Sequence, residues 1–208
     1  FDMLGEAART QSDVDFFFTA YENAIKKVGE KNAQLSQSFH EISIKLSAIH
    51  PRYELIKQDR VMSELYDRVL ELSHQAANQG IALTIDAEEQ DRLELSLLLI
   101  EKLAKEKALS EWNGLGLAVQ AYGKRSSNII NFVDELGGKR NGIMMRLVKG
   151  AYWDQEIKIH QTKGADDLPV FTSKSFTDLN YLHTAKLISN TKNVRPYFAT
   201  HNLSLIHI

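Results

Sequence analysis

Apolar and polar residues alternate along this chain with two periods, which predict strands and helices in turn. Strand-like stretches lie at 1–6, 42–48, 82–87, 115–121, 143–149, 169–172 and 197–201. Amphipathic stretches separate them, and we predict a first helix that is capped by Ser12 or Asp13 and ends before Gly29. Further helices are predicted at about 59–80, 88–106, 126–136 and 154–163, and from Thr177 or Asp178 onward. This alternating order indicates an α/β fold with a parallel sheet.

The pattern within the strands distinguishes a barrel from an open sheet. In residues 42–48, 83–87 and 117–120 the apolar side chains occupy one face, and polar ones face the other way near the carboxyl end. Strands buried on both faces of a doubly wound sheet would be continuously apolar. One polar face is typical of a barrel with a site at the carboxyl ends of its strands. We therefore predict an incomplete (β/α)8 TIM-type barrel, with about seven of the eight strands present.

Composition narrows the functional classes. A chain of 208 residues with 43% hydrophobic content can bury a core as one domain, and a net charge of −2 without a basic stripe argues against nucleic-acid binding. The absence of cysteine excludes disulfides, thiolate metal sites and thiol nucleophiles, and fits a reducing cytoplasm. The histidines are scattered without a metal-binding spacing, so no metal site is predicted.

The most informative segment is residues 146–156, RLVKGAYWDQE. An apolar strand from Ile143 to Val148 leads into a glycine turn, and Asp154 is a good N-cap for the helix that follows. Two cations and two aromatic residues lie within eight positions here, which a purely structural turn does not need. A flat, electron-rich cofactor next to a small anion would use all four.

Other strands end in polar residues with more than one interpretation. Lys45 could pair with a substrate carboxylate, form a Schiff base or extend to the barrel rim as an ordinary surface lysine. Asp86 could line a site or cap the next helix, and Gln120 could bind a flavin edge or lie on the surface. Arg146 is the strongest candidate, because an inward arginine low in a barrel needs a partner.

Four stretches, SIKLSAIHPRYE at 43–54, LTIDAEE at 83–89, RLVKGAYWDQE at 146–156 and FATHN at 198–202, carry a resemblance to a known family. They resemble the proline dehydrogenase barrels of the proline utilisation A flavoenzymes. The resemblance implies FAD-dependent oxidation of L-proline to 1-pyrroline-5-carboxylate, the first step of proline catabolism to glutamate. It also implies transfer of the electrons to a membrane quinone, a cytoplasmic location at the inner face of the membrane, and a possible fused aldehyde dehydrogenase domain.

The resemblance also implies roles for individual residues. Lys45 would hold the proline carboxylate, Asp86 would line the proline site, Leu147 would form an apolar wall, and Tyr152 would cover the bound proline. The expected contacts to FAD are Gln120, Arg146, Val148, Trp153, Thr172, Lys174, Thr200 and His201. Ser173 stands where the family usually has an arginine, so one cation near the cofactor is lost.

Both ends of the sequence suggest a piece of a longer protein. We expect residues 1–202 to be a barrel fragment and residues 203–208 to be a tail that does not match the family. In the family, the last strand and helix supply a tyrosine and two arginines to the carboxylate site. Without them, Asp86 is expected to lose its main cationic partner and the fragment to be inactive alone. A Schiff-base lyase and a non-catalytic barrel fragment remain as alternatives.

Overall fold

Parallel strands and surrounding helices make up the computed structural model of this chain, which describes residues 1–3, 5–34 and 40–200. The strands are β1 (Glu41–Ile44), β2 (Ala82–Ile85), β3 (Leu115–Gln120), β4 (Ile143–Val148) and β5 (Val194–Phe198). The helices are α1 (Gln11–Gln34), α2 (Gln58–Asn78), α3 (Leu93–Ala104), α4 (Ser126–Gly137), α5 (Trp153–Thr162) and α6 (Lys174–Ser189). Short 3-10 turns at Leu46–Ala48, Leu55–Lys57, Gln90–Arg92 and Lys107–Leu109 complete the regular structure of this part of the chain.

The strand order follows the sequence, from β1 to β5, and every pairing between neighbours is parallel. Helices lie between successive strands, which is the connectivity of a (β/α)8 barrel. The prediction of an α/β parallel fold is therefore confirmed, and the described residues supply five of the barrel's strands. None of the described helices is long and apolar enough to cross a membrane.

Two predicted strands are corrected by the structure. In the described part of 1–6, Asp2 makes a single parallel bridge to Ser43, and the chain then turns through a positive φ of 136° at Gly5. In 169–172, Val170 makes a single antiparallel bridge to Gly123. This segment crosses the loop after β3 in the opposite direction, so its apolar residues cover that loop instead of extending the sheet.

Two predicted helix caps also shift. The hydroxyl of Thr10 accepts a hydrogen bond from the Asp13 N–H at 3.2 Å, and the Asp13 carboxylate accepts the Thr10 N–H at 2.9 Å. This reciprocal capping box makes Thr10 the N-cap of α1, so the predicted cap at Ser12 or Asp13 is wrong. Helix α5 begins at Trp153, which places Asp154 inside its first turn, where a carboxylate still favours the helix dipole.

The core lies between the sheet and the helices. Alternate strand residues that face the helices are fully buried apolar side chains, among them Ile42, Ile44, Leu83, Ile85, Leu117, Met145 and Leu147. The residues between them, such as Ser43, Thr84 and Arg146, face the barrel interior. The predicted alternation is thus present, and it leaves the interior face free to carry polar chemistry.

Candidate active site

An open cavity of about 480 Å³ lies at the carboxyl ends of the strands. It contains most of the side chains that the sequence singled out, although they come from separate strands and loops. The predicted residues that line it are Lys45, Asp86, Gln120, Arg146, Val148, Tyr152 and Thr200. His201 lies outside the described residues, as do residues 203–208.

Asp86 is the centre of the charged cluster in this cavity. One carboxylate oxygen accepts a hydrogen bond from the Lys45 ammonium at 2.9 Å, and the other accepts one from the Arg146 guanidinium. The side chain of Asp86 is only 10% exposed, so both pairs lie largely out of water. Parallel pairing of the strands thus gives Asp86 two cationic partners within the described residues. The expected loss of an arginine from the last helix stays a prediction.

The two cations have further partners. Arg146 donates to the Ser43 hydroxyl at 2.8 Å and lies 3.6 Å from the Glu41 carboxylate. Lys45 also lies 3.3 Å from the Asp2 carboxylate. Burial alone would lower the pKa of Lys45, but its pairing with Asp86 outweighs burial and raises that pKa to about 12. Lys45 is therefore protonated and positively charged at neutral pH.

Gln120 connects two loops at the edge of the cavity. Its side-chain amide N–H donates to the Glu88 carbonyl at 2.8 Å, and its side-chain oxygen accepts the Ala151 N–H at 3.1 Å. These two bonds fix the orientation of the amide group. Gln120 is buried instead of lying on the surface, which removes the alternative interpretation of this residue.

The turn after β4 is built around Gly150, whose φ of 138° disfavours any other residue. A Cβ atom at this position would lie 2.5 Å from the ring of Tyr122. The turn therefore packs directly on that ring before Tyr152 reaches into the cavity. The Tyr152 hydroxyl donates to the Glu6 carboxylate at 2.8 Å, and burial together with Glu6 raises the pKa of the phenol.

A second cavity of about 420 Å³ adjoins the first, since Lys149 and Gly150 line both. Three predicted cofactor contacts, Trp153, Thr172 and Lys174, line this second cavity. The indole N–H of Trp153 donates to the Phe171 carbonyl at 2.8 Å. Both cavities carry charged side chains: Lys45, Asp86 and Arg146 line the first, and Lys149, Lys174 and Asp178 line the second.

One predicted site residue lies elsewhere. Leu147 is fully buried in the core between the sheet and the helices. Arg146 and Val148 line the cavity, and the residue between them must face the opposite side of the strand. The expected pocket wall at Leu147 is thus corrected. Ser173 directly precedes α6 at its N-cap position, where its hydroxyl makes no capping bond.

Sequence reasoning missed several residues that support the site. Glu88 looked like part of an exposed helix start, yet it is 8% exposed and its carboxylate accepts the Ser47 N–H. Glu6 carries no local signal of its role, because its partner Tyr152 is 146 positions away. The alternation in residues 42–48 places Ser43 on the polar face of its strand, which is the signal in the sequence for its contact with Arg146.

The fold and the cavity define a class: an α/β-barrel chain with a charged ligand site at the carboxyl ends of parallel strands. The family model described as proline dehydrogenase matches residues 1–207, so the chain belongs to the proline dehydrogenase family. The resemblance seen in the sequence is confirmed by this match.

Known relatives are longer than this chain. It is 48% identical over 207 residues to the bifunctional protein PutA of Salmonella typhimurium and 47% identical to that of Escherichia coli. Each match covers 97% of this chain and 16% of the relative. The chain therefore spans about a sixth of the length of these curated relatives.

Solved structures of similar proteins share the fold. A mutant of proline utilization A from Bradyrhizobium japonicum superposes with a TM-score of 0.91 at 47% identity, covering 99% of this chain and 22% of that chain. Proline utilization A from Bdellovibrio bacteriovorus inactivated by N-propargylglycine gives a TM-score of 0.90 at 26% identity, covering 99% and 23%. The similarity extends over the whole barrel portion described here.

Proposed function

We propose that this chain is the barrel portion of a longer proline utilization A protein and oxidises L-proline to 1-pyrroline-5-carboxylate with FAD. The observation that carries the proposal is the cluster of Lys45, Asp86 and Arg146 in a cavity that continues into a second one. An ammonium ion held beside a carboxylate suits an amino acid substrate, which presents both charges.

The residues present fit a flavin nucleotide. The two adjoining cavities, about 480 and 420 Å³, each have a volume in the range of ligand sites. Gly150 brings the turn after β4 directly onto the Tyr122 ring, and Arg146 and Gln120 are polar side chains that line the first cavity. Lys149 and Lys174 lie beside the second cavity, where both pair with Asp178, and a pyrophosphate would compete with that carboxylate for them. Trp153 adds an aromatic surface at the same cavity.

The chain's own residues would act by binding and orientation. Lys45 would bind the substrate carboxylate, and Tyr152, whose raised pKa keeps it protonated, would cover the substrate ring. Arg146 would place a positive charge where the reduced flavin gains negative charge. When bound, FAD supplies the acceptor for the hydride that leaves the proline ring carbon. Orientation within the cavity accounts for a site without a nucleophile.

Electron transfer to a membrane quinone and fusion to an aldehyde dehydrogenase domain extend the same proposal. The printed name of the curated relatives, bifunctional protein PutA, supports a second activity in the longer protein. Electron transfer to a quinone would bring the protein to the inner face of the membrane from the cytoplasm.

A Schiff-base lyase that uses Lys45 is disfavoured by one observation. A lysine that forms a Schiff base needs a neutral amine, which requires a lowered pKa. Pairing with Asp86 raises the pKa of Lys45 to about 12, so the amine stays protonated. This leaves ionic binding of a carboxylate as the better use of the residue.

The test uses the full-length protein that contains this chain, with flavin reduction by L-proline followed anaerobically. Lys45→Met should raise the proline concentration for half-maximal reduction about tenfold or more, because a carboxylate contact is lost. Arg146→Met should lower the flavin potential and slow its reduction. Lys105→Met is the matched control, since Lys105 pairs with Glu101 on the surface of α3. A colourless protein, or a wild-type protein that proline does not reduce, would refute the proposal.

A further inference from the structure

A carboxylate behind the cavity, Glu88, links the loops after β1 and β2. Its side chain is 3% exposed, and one oxygen accepts the Ser47 backbone N–H at 3.0 Å. Ser47 lies in the 3-10 turn Leu46–Ala48, which begins directly after Lys45. Glu88 thus fixes the turn that determines where the Lys45 backbone lies.

The same residue connects two more loops through its main chain. The Glu88 carbonyl accepts the Gln120 side-chain N–H at 2.8 Å, and Gln120 in turn accepts the Ala151 N–H at 3.1 Å. A chain of three hydrogen bonds therefore runs from Ser47 through Glu88 and Gln120 to the turn after β4. The loops after β1, β2 and β4 are thereby held together with the end of β3.

Burial shows why the Ser47 N–H needs a side-chain acceptor at this position. Ser47 is 2% exposed, so its N–H needs an acceptor within the protein. Burial raises the pKa of Glu88, while the Ser47 N–H and Arg92, whose guanidinium lies 2.9 Å from the second oxygen, favour the charged form. Glu88 therefore has two separable contacts: a hydrogen bond toward Lys45 and an ion pair that leads away from the cavity.

We propose that Glu88 is a positioning residue that acts through Lys45: by accepting the Ser47 N–H it holds the Lys45 turn so that the ammonium reaches the substrate carboxylate. The inference rests on the proposed function, since it requires Lys45 to bind that carboxylate. A residue that only positions a binding group changes KM for proline much more than kcat.

Two substitutions separate the two contacts of Glu88 in the full-length protein. Glu88→Gln keeps an oxygen that accepts the Ser47 N–H but loses the charge that pairs with Arg92. Glu88→Met, of similar size, loses both. We expect Glu88→Met to raise KM for proline about tenfold with kcat within about twofold, and Glu88→Gln to stay within about threefold of wild type. Glu89→Gln is the control, because Glu89 also lies 3.0 Å from Arg92.

A double-mutant cycle distinguishes positioning from a general structural role. In a Lys45→Met background, Glu88→Met should leave KM unchanged, because both substitutions act on the same contact. Equal damage in Glu88→Gln and Glu88→Met, or a full additional effect in the Lys45→Met background, overturns the proposal. So does a Glu88→Met protein with the KM of wild type.

If Glu88→Met does not fold, Arg92→Met decides instead, because it removes the ion pair and keeps the acceptor. KM within about threefold of wild type then supports positioning, and a tenfold rise overturns it. Failure of the proposed function is recognised separately, because the wild-type protein itself would then not be reduced by proline.

Discussion

Replacing Asp86 by asparagine removes the charge that Lys45 and Arg146 share. The change preserves shape, and the amide oxygen can still accept one hydrogen bond. Lys45 keeps Asp2 at 3.3 Å, and Arg146 keeps Glu41 at 3.6 Å, but both of these contacts are longer than those to Asp86. We expect the barrel to lose stability because two partly buried cations then face each other with insufficient compensation.

The magnitude follows from the structure. The rise in the Lys45 pKa from 10.5 to about 12 corresponds to about 2 kcal/mol of favourable interaction with Asp86 and Asp2. Because water screens the charges in an open cavity, we assign about 1 kcal/mol of this free energy to Asp86. Arg146 is 27% exposed, and leaving it undercompensated adds about 1–2 kcal/mol. The expected loss is therefore about 2–3 kcal/mol, or about 4–12 °C in melting temperature.

The assay is thermal unfolding of the full-length protein and its Asp86→Asn variant, with Asp2→Asn as the control. Asp2 is 63% exposed, so its removal should cost about 1 kcal/mol or less. The raised pKa of Lys45 means that its contribution is complete below pH 10.5 and is lost as the pH rises through about 12. The contribution of Lys45 to the stability difference between wild type and Asp86→Asn should therefore be equal at about pH 7 and pH 9. An Asp86→Asn protein that melts with the Asp2→Asn control would refute this account.

Three further predictions follow from the same structure. The carboxylate of Glu156 accepts the Gln90 N–H, and burial raises its pKa. The free-energy cost of burying the charged carboxylate should therefore disappear as the pH falls through that raised pKa toward 4.5, because the group becomes neutral. Glu156→Gln should match or exceed wild-type stability at about pH 8 and remove this pH dependence in thermal melts; a large loss at that pH would contradict it. Gly150→Ala should destabilise the turn by about 2 kcal/mol or more, because the position has a positive φ and the added Cβ atom would meet the Tyr122 ring. Gly164→Ala should cost about 1 kcal/mol, because its φ is also positive but no atom lies within 4 Å of the added Cβ. Equal melting temperatures of the two variants would argue against strain at Gly150. The isolated 208 residues should bind FAD weakly, aggregate and resist bleaching by proline, whereas a chain extended through the rest of the barrel should bleach rapidly; rapid bleaching of the short chain would count against the need for the last helix.

Local patterns predicted the strands better than the contacts between them. The predicted strand at 143–149 differs from the observed Ile143–Val148 by one residue, because its apolar run is bounded by a glycine turn. Alternation in residues 42–48 also placed Lys45 on the polar face of its strand, and Lys45 lines the cavity. The error at Leu147 arose from transferring a family role to a position that alternation with Arg146 assigns to the helix side.

Residues whose role depends on distant partners could not be predicted in this way. Two adjacent glutamates have the composition of an exposed helix start, yet Glu88 is buried because the loop after β2 folds under the β1 turn. The bond from Tyr152 to Glu6 joins the turn after β4 to the segment before α1, and no local period encodes it. Such contacts follow from strand order, which sequence periodicity leaves open.

The charge balance of the cluster around Asp86 bears on what the cavity can bind. Lys149 also lines the cavity, but it pairs with Asp178 and lies outside this cluster. Lys45 and Arg146 contribute two positive charges, while Asp2, Glu41 and Asp86 contribute three negative ones, all within 4 Å of a cation. A substrate carboxylate entering this cluster would compete with carboxylates already in place, so the described residues alone should hold it weakly. Additional cations are required for tight binding, and the two arginines implied by the resemblance for the last helix of the family would reverse the sign of the cluster. Asp86 would then keep the cations ordered until the substrate arrives, and proline affinity would depend on the residues that close the barrel.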